Sequence, residues 1–281
     1  MIEPKSPSEQ LLFSTLRIEA GNSVGTGFFY SVKIDDKSEI PLIITNKHVV
    51  GDNKVISFSL HEAKLKDNQS VPAGKFVKVN YKSQWVNHPN TDIDLCATPL
   101  QPLINQISGK SIYYIKLTED LIWSNDKLDE LSAVEDVLMI GYPIGLWDHV
   151  NNLPLIRRGI TSTHPAIDFQ GKSYGVIDIA VFPGSSGSPV LVVNEGSYGT
   201  RTGLSLGSRV IFLGVLQSGP VYNTEGEIVI KTIPTAKHAL ANTKVMVNLG
   251  YYIKSKEIIE LGAEFKRQLN IPEPKQDTKP E

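Results

Sequence analysis

The chain has 281 residues, 41% of them hydrophobic and 21% charged, with 28 Lys and Arg against 30 Asp and Glu. This is the make-up of a soluble globular protein, and a net charge of −2 gives no bulk electrostatic drive toward nucleic acid or an anionic membrane. One cysteine, Cys96, excludes an internal disulfide framework and a cysteine-built zinc site. The longest apolar run, at 210–216, is far short of the roughly 20 residues that span a bilayer. The first ten residues lack the basic head and apolar stretch of a signal peptide, so the reading is cytoplasmic.

Short runs of Val, Ile, Phe and Tyr follow one another, broken by glycine and proline. They predict strands at 13–20, 25–33, 40–46, 55–60, 76–79 and 95–99, and a second set at 136–142, 155–162, 175–179, 188–193, 210–218, 228–234 and 249–253. Strands of this length and spacing argue for an all-β barrel or sandwich. Between the sets lies a linker, Glu225-Gly226 reads as a hairpin turn, and 194–208 reads as a mobile loop. Near the end, Ile258, Ile259, Leu261, Phe265 and Leu269 recur at helical spacing behind Ser255 as N-cap. The last ten residues hold three prolines and no large apolar residue, which predicts a disordered tail. The expected organisation is an N-terminal unit at 10–105, a linker at 106–133, a C-terminal unit at 134–253, a helix at 254–270 and the tail at 271–281.

Three segments carry chemistry. Phe182-Pro-Gly-Ser-Ser-Gly-Ser-Pro189 sets a serine pair between glycines, the backbone freedom needed to expose a hydroxyl on a tight turn. Leu42-Ile-Ile-Thr-Asn-Lys-His-Val-Val50 ends an apolar run in His48, behind Gly25-Thr-Gly-Phe-Phe29. His88-Pro-Asn-Thr-Asp-Ile-Asp-Leu-Cys-Ala97 offers two carboxylates ahead of a strand, Asp92 and Asp94.

Taken together these segments resemble trypsin/chymotrypsin-like serine peptidases, over roughly residues 12–270. Gly184-Ser185-Ser186-Gly187-Ser188-Pro189 is similar to the Gly-Asp-Ser-Gly-Gly-Pro signature, with Ser186 at the nucleophile; the strand ending Thr-Asn-Lys-His matches the histidine turn. Asp94, followed by Leu-Cys-Ala, fits the family's aspartate better than Asp92, which stays as the fallback. The order His, Asp, Ser, with gaps of 46 and 92 residues, is the chymotrypsin order. The resemblance implies two Greek-key β-barrels with a C-terminal α-helix, and a cleft between them. It implies a serine endopeptidase acting through His48, Asp94 and Ser186, with Gly184 and Ser186 amides as oxyanion hole. Ala180, Gln217, Ser218 and Gly250 would border the specificity pocket. With no carboxylate among them, a small or apolar side chain is expected before the scissile bond.

Ser185 stands where trypsin has an aspartate, so the trypsin-type zymogen switch is not expected. The lack of disulfides looks more like bacterial, intracellular or high-temperature-requirement-type members. No metal or cofactor is implied, and the histidines at 61, 88, 149, 164 and 238 show no ligand spacing and read as surface or turn residues. The expected partner is a protein or peptide substrate, with no nucleic acid and no membrane. A pseudoprotease used as a binding module, or a site completed by an activating protein partner, is the alternative. Arg157-Arg158 reads as a solvated edge, and Tyr113-Tyr114 as packing between the halves.

Overall fold

Runs of β-branched and aromatic residues fold as strands because their stiff side chains pack well on a pleated surface. In the computed structural model, which describes residues 1–82, 84–107, 109–228 and 239–271, the first half carries β1 (Thr15–Ala20), β2 (Ser23–Lys33), β3 (Glu39–Thr45), β4 (Ile56–Lys66), β5 (Gln69–Tyr81), β6 (Val86–Asn87), β7 (Cys96–Pro99) and β8 (Ile112–Tyr113). With them run α1 (Pro7–Leu11), α2 (Lys47–Val50) and α3 (Gln101–Asn105). The second half begins with α4 (Asn125–Asp129) and continues through β9 (Asp136–Gly141), β10 (Leu155–Thr161), β11 (Tyr174–Asp178), β12 (Pro189–Asn194), β13 (Ser197–Thr200) and β14 (Gly203–Leu206). It ends with β15 (Arg209–Ser218), β16 (Val221–Ile228), β17 (Ala239–Met246), β18 (Leu249–Lys254) and α5 (Lys256–Gln268).

The strands form two antiparallel bodies. The first is a sheet in the order β5-β4-β1-β2-β3-β7-β6, with β8 paired to β4. It wraps one core that draws Leu16, Ile18, Phe29, Ile43, Phe58, Val79 and Cys96 from β1 to β5 and β7. Its ladder stays open between β5 and the two-residue β6. The second body is a closed barrel, β10-β11-β18-β15-β12-β9. The architecture is all-β, an open sheet beside a closed six-strand barrel, with a C-terminal helix, as the sequence led us to expect. Among the described residues no helix is long and apolar enough to cross a membrane.

What joins the halves follows from the strand period. Successive side chains point to opposite faces, so a strand covered on both faces must be apolar throughout. β2 is such a strand: Phe29 faces the first core, while Phe28, Tyr30 and Val32 face a second core shared between the bodies. β3 does likewise, with Ile43 on one side and Leu42 and Ile44 on the other. The shared core also takes Ile140, Leu191, Phe212, Val215 and Ile253 from the closed barrel, and Phe28 meets Phe212 edge-on at 5.4 Å. Ile258, Leu261 and Phe265 of α5 complete it from one helix face.

A polar clamp adds to this apolar seam. Thr26 of β2, fully buried, donates its hydroxyl to the Gly184 carbonyl at 2.9 Å and accepts the Tyr142 amide at 3.0 Å. Its amide donates to the Ser186 carbonyl at 3.0 Å, and its carbonyl accepts the Thr45 hydroxyl at 2.7 Å. One threonine of the first body thereby holds the serine turn of the second.

Some expectations are corrected. Glu225 and Gly226 lie inside β16, opposite Asn242 and Ala241, because the pairing of β16 with β17 runs on past them. Residues 194–208 form the β13–β14 hairpin instead of an irregular loop. Tyr113 packs on Phe13 and Tyr114 on Phe29, so both belong to the first body and not between the halves. Ser255 precedes α5, but its side chain makes no capping bond. Most of the expected strand at 228–234, His238 and the tail from 272 lie outside the described residues.

His61 is buried too, 5% exposed, edge-on to Phe13 at 5.0 Å, with neither ring nitrogen hydrogen-bonded among the described residues. Burial pushes its pKa down to about 4.

Two outcomes follow. Thr26→Val keeps shape but strips the partner from the Tyr142 amide and the Gly184 carbonyl, two buried groups that each cost about 1–3 kcal/mol unpaired. Urea unfolding should show a lower midpoint at an unchanged slope. For His61, the unfolded imidazole takes its proton near 6.5 and the folded one only near 4, so in between the unfolded chain binds more protons. Stability should fall by up to about 3 kcal/mol as pH drops through that window, and urea midpoints in His61→Leu should lose that acid dependence.

Candidate active site

Strand β3 ends at Thr45, and the chain turns through buried Asn46 into the short α2, which presents His48. The Asn46 side-chain amide donates to the Asp94 carbonyl at 2.8 Å, tying that turn to the segment ahead of β7. Asp94 then meets His48 twice: one carboxylate oxygen lies 2.5 Å from Nδ1, and the other accepts the His48 backbone amide at 3.1 Å. The ring is thereby oriented with its Nδ1 proton toward the carboxylate. The His48 side chain is half exposed and Asp94 only 18%. Asp92 is exposed; its amide donates to the Asn90 side chain, and its carboxylate takes no part in the pair.

Ser186 sits on the turn before β12. Gly184 and Gly187, with φ of +90° and +86°, adopt left-handed backbone that disfavours side chains. At Gly187 there is also no room: a Cβ would lie 1.9 Å from the Thr26 carbonyl. Along the turn, the amides of Ser185, Gly187 and Ser188 donate to Phe182, Leu216 and Ser185 carbonyls. The amides of Gly184 and Ser186 donate to no group among the described residues. The Ser186 hydroxyl donates to the Gln217 carbonyl at 3.0 Å and makes no hydrogen bond to His48.

His48 and Ser186 line one pocket of about 340 Å³ with Val181, Phe182, Pro183, Gln217, Ser218 and Gly219. Of the residues expected to border a specificity pocket, Gln217 and Ser218 line this cavity, and Ala180 and Gly250 do not. Val181, one residue further along, faces the pocket, and its side chain packs between Gly219 and Gly250. Apart from His48, none of the lining residues can carry a charge. Arg157, expected as a solvated edge, lies with its guanidinium 4.9 Å over the Phe182 ring, backing one wall. Arg158 is exposed and pairs with Asp136. A larger cleft, about 1070 Å³, runs from the 33–39 turn to the start of α5 and touches none of His48, Asp94 and Ser186.

Thr26 is the positioning residue that sequence reasoning did not single out, although Gly25-Thr-Gly-Phe was noticed as a strand. The histidines also divide differently from expectation. His61 and His88 are buried, His149 lies edge-on to Trp147, and His164 bonds the Leu131 carbonyl. Among the described residues, the one group of three side chains able to hold a metal ion is His88, Glu257 and Glu260, outside the pocket.

Two solved structures resemble the chain. One is an inactive form of a serine-to-alanine variant of Rv3671c from M. tuberculosis H37Rv: 15% identity, TM-score 0.45, 95% of this chain and 98% of that one covered. The other is the Rv3671c protease, inactive form: 14% identity, TM-score 0.42, 92% and 95% covered. No curated protein matches. The sequence itself matches the trypsin-like peptidase domain family over residues 25–198, more than half its length, and the chain belongs to that family.

Proposed function

We propose that the chain is a serine endopeptidase working through Ser186, His48 and Asp94. The observation that carries this reading is one pocket lined by an imidazole fixed on a carboxylate and by a serine hydroxyl, beside two amides with no acceptor among the described residues. Rotation about the Ser186 Cα–Cβ bond takes the hydroxyl from the Gln217 carbonyl toward Nε2 of His48. Such contacts often tighten only when substrate is bound. Ser186 Oγ then attacks the scissile carbonyl as Nε2 takes its proton, forming a tetrahedral adduct whose oxyanion lies against the Gly184 and Ser186 amides. His48 returns the proton to the leaving amine, and water attacks the acyl-enzyme by the same route. Asp94 keeps the proton on Nδ1 and balances the transient imidazolium.

The pocket, lined by Val181 and, apart from His48, by no chargeable side chain, suits a small uncharged side chain before the scissile bond. Ser185 is fully buried and uncharged, so it offers no carboxylate to a freed N-terminal ammonium. A site completed only by an activating partner is the second reading. It is favoured by the Ser186 hydroxyl resting on Gln217 instead of on His48.

Purified protein should take up a fluorophosphonate label and cleave an unstructured protein; Ser186→Ala should do neither while unfolding at the same urea midpoint. A wild-type chain that labels only with a partner present favours the second reading, and full cleavage by Ser186→Ala overturns both. Asp94→Asn should lower turnover by about 10⁴, because the ring loses its tautomer, whereas Asp92→Asn should have little effect. Steady-state kinetics on a peptide substrate distinguishes the two, and the reverse order would move the third role to Asp92.

A further inference from the structure

His88 and the first turn of α5 meet behind the segment that carries Asp94. The His88 side chain is fully buried, and its amide donates to the Leu95 carbonyl at 2.9 Å, closing the 88–95 segment. Nε2 points at α5, 3.1 Å from the Glu257 carbonyl, 3.4 Å from a Glu257 carboxylate oxygen and 3.7 Å from one of Glu260. The two carboxylate distances exceed the 2.7–3.2 Å of an N–H···O hydrogen bond. They are instead close to the edge of a tetrahedron about a zinc ion: bonds of roughly 2.0–2.1 Å to nitrogen and oxygen put neighbouring ligand atoms about 3.3–3.4 Å apart. The three donor atoms all lie within 4.8 Å of one another. Glu257 and Glu260, three apart on one helix face, are like charges held together, and no Lys or Arg among the described residues pairs with either.

We propose that His88, Glu257 and Glu260 form a site for a divalent cation of the zinc type, which fastens the Asp94 segment to α5. A nitrogen with two carboxylates suits a borderline ion; magnesium and calcium prefer all-oxygen shells. The imidazole has a place for its proton in both states. Without the ion, Nδ1 accepts the Asn90 amide at 3.1 Å and the proton sits on Nε2, facing the Glu257 carbonyl. With the ion on Nε2, the proton sits on Nδ1 and donates to the Asn90 carbonyl, 3.3 Å away, which orients the ligand from behind, while the Asn90 amide gives up its bond to Nδ1 and turns aside. Water fills the fourth position. The role is structural and does not depend on the peptidase reading.

Zinc chloride titrated calorimetrically into the full chain tests this, in wild type and in His48→Ala, which removes the rival imidazole–carboxylate pair. One site is expected in both, weakened about tenfold or more by Glu260→Gln, an exposed position that leaves folding intact. Magnesium and calcium at the same concentrations should not bind. Nitrogen-15 imidazole spectra should show His88 passing from the Nε2-protonated to the Nδ1-protonated tautomer as zinc is added. Absence of binding, binding unchanged by Glu260→Gln, or an unmoved His88 tautomer would overturn the proposal.

Discussion

Everything in this molecule depends on holding two separately built bodies at fixed register, and buried Thr26 does so by hydrogen bonding. Its amide and hydroxyl reach the carbonyls of Ser186 and Gly184, so the turn bearing the serine is referenced to the same strand that, through Thr45, leads into the His48 turn. In a low-dielectric seam such bonds are strong when all are made and expensive when any is missing, which gives the seam a single arrangement. The apolar face beside it, Phe28 on Phe212, supplies adhesion without direction. The hydrogen bonds supply the direction.

The chemistry at the cleft is divided between a rigid part and an adjustable one. The imidazole is pinned by two contacts to a single carboxylate, and the backbone that carries that carboxylate is tied at the Asp94 carbonyl by the Asn46 side-chain amide. The serine hydroxyl rests on the Gln217 carbonyl, and in the proposed mechanism it exchanges that acceptor for His48. In the proposed mechanism the backbone changes nothing between the two states.

How much of this was legible in the sequence depends on how local each feature is. The strands at 25–33 and 40–46 could be read because burial on both faces writes consecutive apolar residues, Phe28-Phe29-Tyr30 and Leu42-Ile43-Ile44, and the Gly-Ser-Ser-Gly turn because left-handed backbone favours glycine on each side of the serine pair. The choice of Asp94 over Asp92 rested on the residues that follow, and the geometry of the pair is that of Asp94. Features set by distant pairing were not legible. His88 and Glu257 are 169 residues apart and meet only when α5 docks. Counting back from Ser186 reached Ala180, because a count cannot foresee which neighbour of a bent segment turns inward; Val181 does. Glu225-Gly226 has turn composition, but the partner strand carries the pairing beyond it.

The docking of α5 has a consequence for biosynthesis. Ile258, Leu261 and Phe265 share a core with Leu11, Val32, Ile93 and Leu95, so part of the first body is covered by a helix that follows all of its strands in the chain. While residues 256–268 are still within the ribosome, the underside of the Asp94 segment is bare. The open apolar floor then invites chaperone contact, but the cleft above it is unfinished. Until α5 docks, the segment bearing Asp94 lacks part of the core beneath it, so its final placement waits on a helix made after every strand of the first body.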